Sequence, residues 1–295
     1  MTRALVLGGG GPVGIGWEAG LLVGLTRSGV EVARADAVVG TSAGSVVGFT
    51  LASGGDLSQA TTLVGAAREM QSEDSGATEA ADDLEQLIAT LAEAASNPGG
   101  AEAVRAKLGR VALEASTISE DLWLAMFGTF AGAKWPDSFA CTAVATDDGS
   151  FQVWDRNSGV DVQLAVASSC AVPGIFPPVT INGRRWMDGG VRDILNADAA
   201  AGHDAVLAIS CTLLEIPEEF AMPALDSVMA ATRSQLDRLR SDGSKVETIV
   251  PAEEMLEISG WGLNLMDFTR ASSAYQAGVR QGEAEAERLG GFWSD

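Results

Sequence analysis

Apolar residues fall in short runs separated by longer amphipathic stretches, beginning with Ala4 to Leu7. That run predicts a buried strand. After the glycines Gly8 to Gly11, Trp17, Leu21, Leu22 and Leu25 mark the apolar side of a helix expected from about Gly14 to Ser28. Ala37 to Val39 predicts a second strand, and Val46, Val47, Phe49 and Leu51 a buried helix that Ser53-Gly54-Gly55 stops. Strand, loop and helix repeated in this order indicate an α/β chain with a mostly parallel sheet wrapped by helices.

From about residue 56 to 136 the pattern turns Ala-, Glu- and Leu-rich without strand alternation, which predicts a helical insertion. Within it, Asp82 to Ala95 has the spacing of an amphipathic surface helix. Trp123 to Phe130 is apolar enough to be core, pocket wall or lid. Strands resume at Phe139 to Thr146 and Phe151 to Trp154, joined by the turn-forming Asp147-Asp148-Gly149-Ser150. A helix through Leu164 to Cys170 precedes a proline-rich loop. An Asn182-Gly183 hairpin then leads into Asp188-Gly189-Gly190, and Val206 to Ser210 is a further buried strand. Residues from about 222 to 295 read as mostly helical. With no linker or repeat, the expectation is a single domain over 1–295, its core at about 4–210.

Charge narrows the partners. Forty acidic against 19 basic residues give a formal net charge of -21, which repels nucleic acid and opposes lasting adhesion to anionic membranes, leaving transient hydrophobic contact with a lipid surface open. Cys141, Cys170 and Cys211 form no CxxC pair and lack a histidine cluster, so they read as small buried hydrophobes, with no metal or cofactor expected. The apolar N-terminal segment is short for a signal peptide, and no run approaches the roughly 20 apolar residues of a spanning helix. A cytoplasmic protein is expected; the sequence does not fix its oligomeric state.

Three features could carry chemistry. Gly40-Thr41-Ser42-Ala43-Gly44 has the G-x-S-x-G spacing of a nucleophile elbow, and is equally a Gly/Ser turn between strand and helix. Gly8 to Gly14 places unhindered N–H groups at a helix's positive end, suited to a phosphate or an oxyanion. Gly9, Gly11 and Gly14 also satisfy G-x-G-x-x-G, but the second strand ends in Gly40-Thr41-Ser42 instead of the ribose-binding carboxylate of a dinucleotide site. Asp188, ahead of two glycines, is a candidate carboxylate base as well as an ordinary turn residue. The chain's one histidine, His203, lies in a helix-to-strand loop at the edge of the sheet opposite the one where sites collect.

Together, Gly8 to Gly14, Gly40 to Gly44, the stretch Ala167 to Pro178 and Asp188-Gly189-Gly190 resemble, in order and spacing, the signature blocks of patatin-like phospholipases. The resemblance implies a three-layer α/β/α fold and a Ser-Asp dyad lipid acyl hydrolase. Ser42 would be the nucleophile, Asp188 the base, and Gly9, Gly10 and Gly11 the oxyanion hole, with a lipid or small ester as substrate. Val13 stands where that family's loop usually carries Arg or Lys. The missing charge suggests a preference for neutral esters; the alternative is a catalytically weak patatin-fold protein that binds lipid or another protein.

Overall fold

A computed structural model describes residues 1–62, 64, 65, 90, 93, 96, 98–215, 217 and 223–294. Its centre is an eight-stranded sheet. β1 (Arg3–Leu7), β2 (Ala37–Gly40), β3 (Phe139–Ala145) and β7 (Ala205–Ile209) run parallel, with Leu5 level with both Val38 and Leu207. β4 (Phe151–Trp154), β5 (Val179–Ile181) and β6 (Arg184–Asp188) form the antiparallel side. The hydrogen-bonded succession is β5-β6-β3-β2-β1-β7-β8, where β8 is Lys245–Ile249, with β4 on β3. Every residue of β7 and all but the first of β1 are buried, as expected of strands covered on both faces.

Registers around β3 bring two strand ends together. Cys141 is level with both Gly40 and Trp154, and Ala143 with both Gln152 and Asp188. A strand residue has one neighbour on each side, so β4 takes one edge of β3 while β2 and β6 share the other. β2 and β6 run toward each other along that edge. The residues just past Gly40 and those ending β6 therefore meet beside Thr142.

Helix α1 (Gly11–Arg27) begins three residues earlier than its apolar pattern predicts. Pro12 in its first turn is tolerated because the missing N–H falls among donors a helix leaves unpaired anyway. α2 (Ala43–Ala52) follows β2. Of the insertion, α3 (Ala101–Glu114) and α4 (Glu120–Met126) are described, whereas most of the amphipathic helix expected over Asp82 to Ala95 lies outside the described residues. α5 (Val162–Ser169) precedes the β5–β6 hairpin, whose Asn182 and Gly183 have φ of 52° and 78°, the left-handed pair of a type I′ turn.

The C-terminal part departs from expectation. α6 (Pro223–Ser241), α7 (Glu253–Ser259) and α8 (Ala271–Ser294) are helical, but β8 (Lys245–Ile249) extends the sheet parallel to β7, so the core does not stop near residue 210. With four of its five residues partly or fully exposed, β8 lacks the apolar run that signals the other parallel strands. α8 lies directly on α1. A Cβ at Gly16, Gly20 or Gly24 would collide with carbonyl groups of α8, and one at Gly278 or Gly282 with carbonyls of α1. Among the described residues, no helix is long and apolar enough to cross a membrane.

Candidate active site

Ser42 occupies the corner between β2 and α2 with φ 52° and ψ −117°, a conformation rare for a residue with a side chain and worth roughly 1–3 kcal/mol of strain. Such a corner persists only where its surroundings hold it. The flanking glycines make room, since a Cβ at Gly44 would strike the Leu7 carbonyl and one at Gly40 the Gly44 carbonyl. Hydrogen bonds fix the rest. Ser169 Oγ accepts the Ser42 N–H at 3.0 Å, while the Ser42 carbonyl accepts from Ser45 Oγ at 2.6 Å and Cys170 Sγ at 3.3 Å.

Asp188 ends β6 opposite Ala143, with its N–H donated to the Ala171 carbonyl. Its Oδ1 accepts the Gly190 N–H at 2.7 Å, while Oδ2 is buried with no formed hydrogen bond. Burial pushes the carboxyl up to about 7; the nearby Ser42 hydroxyl and the Gly190 N–H oppose that rise. The Ser42–Asp188 contact is thus looser than a made bond. Gly189 is fixed against Thr142, whose Oγ1 a Cβ would strike.

One amide joins the two strand ends. Asn196 Nδ2 lies 3.2 Å from Thr41 Oγ1, 3.3 Å from Thr142 Oγ1 and 3.1 Å from the Gly189 carbonyl, and the two threonine hydroxyls are 2.8 Å apart. Asp193, buried and itself raised in pKa by burial, holds the Asn196 N–H, the Leu195 N–H and the Thr232 hydroxyl. Neither Asn196 nor Asp193 carries a sequence signal beyond being polar in a loop.

The glycine loop divides its donors. Gly8 N–H is shared between the Ile209 carbonyl and Oε1 of the fully buried Glu18, and Gly9 N–H goes to the Ile194 carbonyl at 2.8 Å. Val13 N–H is donated to Leu265 O and Pro12 has none. That leaves Gly10 and Gly11, with Ala43 at the start of α2, as N–H groups without an acceptor among the described residues. Gly9, expected beside them, is occupied structurally. Val13 is fully buried in the core, so its position is not an empty seat for a charged side chain at the loop.

Ser42 and Ala43 open onto a cavity of about 690 Å³, part of it open to solvent, whose described walls carry no charged side chain. Trp123, Phe127 and Phe130 of the apolar stretch after residue 122 form one wall. Trp123 stacks on Phe176 at 4.0 Å between ring centroids and donates its Nε1–H to the Ala167 carbonyl, so that wall is fixed. Met266 and Phe268, from the loop between α7 and α8, close another side. Leu265 and Met266 also pack on Gly11, where φ is 57° and a Cβ would meet both. His203 is at the far end of the sheet, its Nδ1 2.9 Å from the Ala200 carbonyl, just before the end of β7 that is level with Arg3.

The crystal structure of VipD from Legionella pneumophila aligns over 97% of this chain and 67% of its own, with a TM-score of 0.42 and 14% identity. Uncharacterized NTE family proteins of Mycobacterium bovis and of two strains of Mycobacterium tuberculosis are each 32% identical over 117 residues. That stretch is 39% of this chain and 31% of each relative, so under a third of their length is matched. The sequence pattern of patatin-like phospholipases matches residues 5–201, well over half of the chain and including the glycine loop, Ser42 and Asp188, and the chain belongs to that family.

Proposed function

We propose that the protein hydrolyses lipid acyl esters through a Ser42–Asp188 dyad. The observation that carries this reading is the strained, clamped Ser42 at the floor of an uncharged apolar cavity, backed by a buried aspartate with one unpartnered oxygen. An acyl chain lies along the aromatic wall and presents its carbonyl carbon to Ser42 Oγ. As Oγ attacks, Asp188 takes its proton; a carboxylate ionising near 7 is a far stronger base than one ionising at 3.8, yet is still charged above neutrality. The developing oxyanion accepts from the N–H groups of Gly10 and Gly11, with Ala43 as a third donor, at the positive ends of α1 and α2.

Collapse of the tetrahedral species returns the proton from Asp188 to the leaving alkoxide and leaves an acyl-serine. Water then attacks that ester, Asp188 accepts its proton, and fatty acid departs as Ser42 Oγ is reprotonated. The uncharged walls favour an acyl chain whose ester sits next to a neutral or zwitterionic remainder, with no cation in the described lining for an anionic group. A fluorophosphonate should give one adduct, on Ser42, located by mass spectrometry. Ser42→Ala and Asp188→Asn should each remove most ester hydrolysis. A folded protein that resists labelling would leave the alternative, lipid or protein binding without turnover.

A further inference from the structure

We propose that the loop from Gly260 to Phe268 is the surface by which the protein docks on an uncharged lipid interface such as a phosphatidylcholine bilayer. Leu263, at 72% exposure, is the most exposed large hydrophobic side chain among the described residues, and Trp261, two positions away, is 46% exposed. The loop is built, not slack. Trp261 N–H bonds to the Leu256 carbonyl, Gly262 N–H to Ser259 Oγ, Asn264 N–H to the Ser259 carbonyl and Asp267 N–H to the Asn264 carbonyl. Gly260, Trp261 and Gly262 all have positive φ, at 56°, 58° and 95°. A tryptophan held there is strained.

Three residues beyond Leu263 the same loop reaches the site. Met266 and Phe268 line the cavity above Ser42, and the Leu265 carbonyl holds Val13 at the start of α1. An indole and an isobutyl side chain entering a bilayer would thus draw the mouth of the apolar cavity toward a lipid phase. Charge selects the interface. Gly260 to Phe268 contains no Lys or Arg, Arg270 is engaged by Asp267 and the Ile258 carbonyl, α7 carries Glu253, Glu254 and Glu257, and the chain bears a net charge of -21. Anionic headgroups would be repelled; zwitterionic ones would not.

This inference rests on the hydrolase reading only for treating the cavity as an acyl site, and its test is independent of turnover. Ser42→Ala protein is floated with phosphatidylcholine vesicles, alone and carrying Trp261→Ser with Leu263→Ser. Expected is flotation of the parent protein, a loss of roughly tenfold or more in the double variant, as follows from no longer burying two large side chains, and a smaller loss for Leu263→Ser alone. Replacing part of the lipid with phosphatidylglycerol should lower binding further. Leu263→Ser, at so exposed a position, keeps the comparison valid should the double variant fail to fold. Absence of flotation by the parent, or undiminished flotation by either variant, overturns the proposal. So does a dimer that light scattering finds in the parent and not in the variant, which would give the patch to a second copy. Soluble-ester hydrolysis by the protein with Ser42 intact, measured beside these, would show the hydrolase reading standing or failing separately.

Discussion

Ser169 Oγ accepts the Ser42 N–H at 3.0 Å, so the strained corner is held by a side chain from α5 and not by its own strand and helix alone. Ser169→Ala removes that anchor while leaving Ser45 and Cys170 on the carbonyl side. The expected result is a fall of roughly ten- to a hundredfold in kcat with little change in KM, because the alcohol is misplaced for attack while the cavity is untouched. Steady-state kinetics on a soluble ester, with thermal melting to verify folding, measures it.

In the proposed dyad Asp188 would set the pH dependence. As the base it must be ionised, so kcat/KM should rise through an inflection near pH 7 to a plateau above it. Stability runs the other way. The folded-state value is raised above the ordinary 3.8, so this residue's contribution is intact below that value and lost as pH climbs through about 7. Asp188→Asn should therefore match the parent in acid and exceed it in alkali, by on the order of 4 kcal/mol if the full shift is realised. Melting curves across the pH range test the sign directly.

Glu18 is fully buried and ionises well above the usual glutamate range because burial disfavours its charge. A neutral carboxyl there accepts the Gly8 N–H, and an amide oxygen can do the same. Glu18→Gln should be nearly neutral for stability and activity at pH 7. Glu18→Ala should cost about 2–4 kcal/mol, from the emptied volume and the displaced glycine loop. Denaturant unfolding of the two variants side by side is the measurement.

Gly20 gives α8 its seat on α1. With a carbonyl where its Cβ would be, Gly20→Val should force the helices apart and cost more than about 3 kcal/mol, or abolish folding. An exposed glycine such as Gly54, with open space around it, is the control position, and Gly54→Asn, whose side chain tolerates its φ of 73°, should be close to silent in the same melting assay.

The sequence makes some of this legible and hides the rest, for identifiable reasons. β1, β2, the turn at Ser42 and the Asn182-Gly183 hairpin are local: apolar runs and glycine placement specify them within a few residues. β8 escaped because it is a partly exposed edge strand without an apolar run. α1 starts three residues ahead of its apolar pattern, and Pro12 fits its first turn because the missing N–H would be unpaired there anyway. Ser169, Asn196 and Asp193 each reach a partner distant in the chain, for Ser169 and Ser42 a separation of 127 residues, and no spacing rule encodes such a meeting. Likewise nothing local distinguishes Gly9 from Gly10 and Gly11, because the Ile194 carbonyl that occupies the Gly9 N–H is distant in the chain.

The roof over the glycine loop comes from residues 265–268, beyond the matched span that ends at residue 201, while the serine, the aspartate and the free N–H groups lie within it. The groups of the proposed reaction and the aromatic wall of Trp123, Phe127 and Phe130 thus share one stretch of the chain, while one side of the same cavity is closed from another. On the proposed mechanism, a substitution at Met266 or Phe268 would reshape one side of the cavity without touching Ser42 or Asp188.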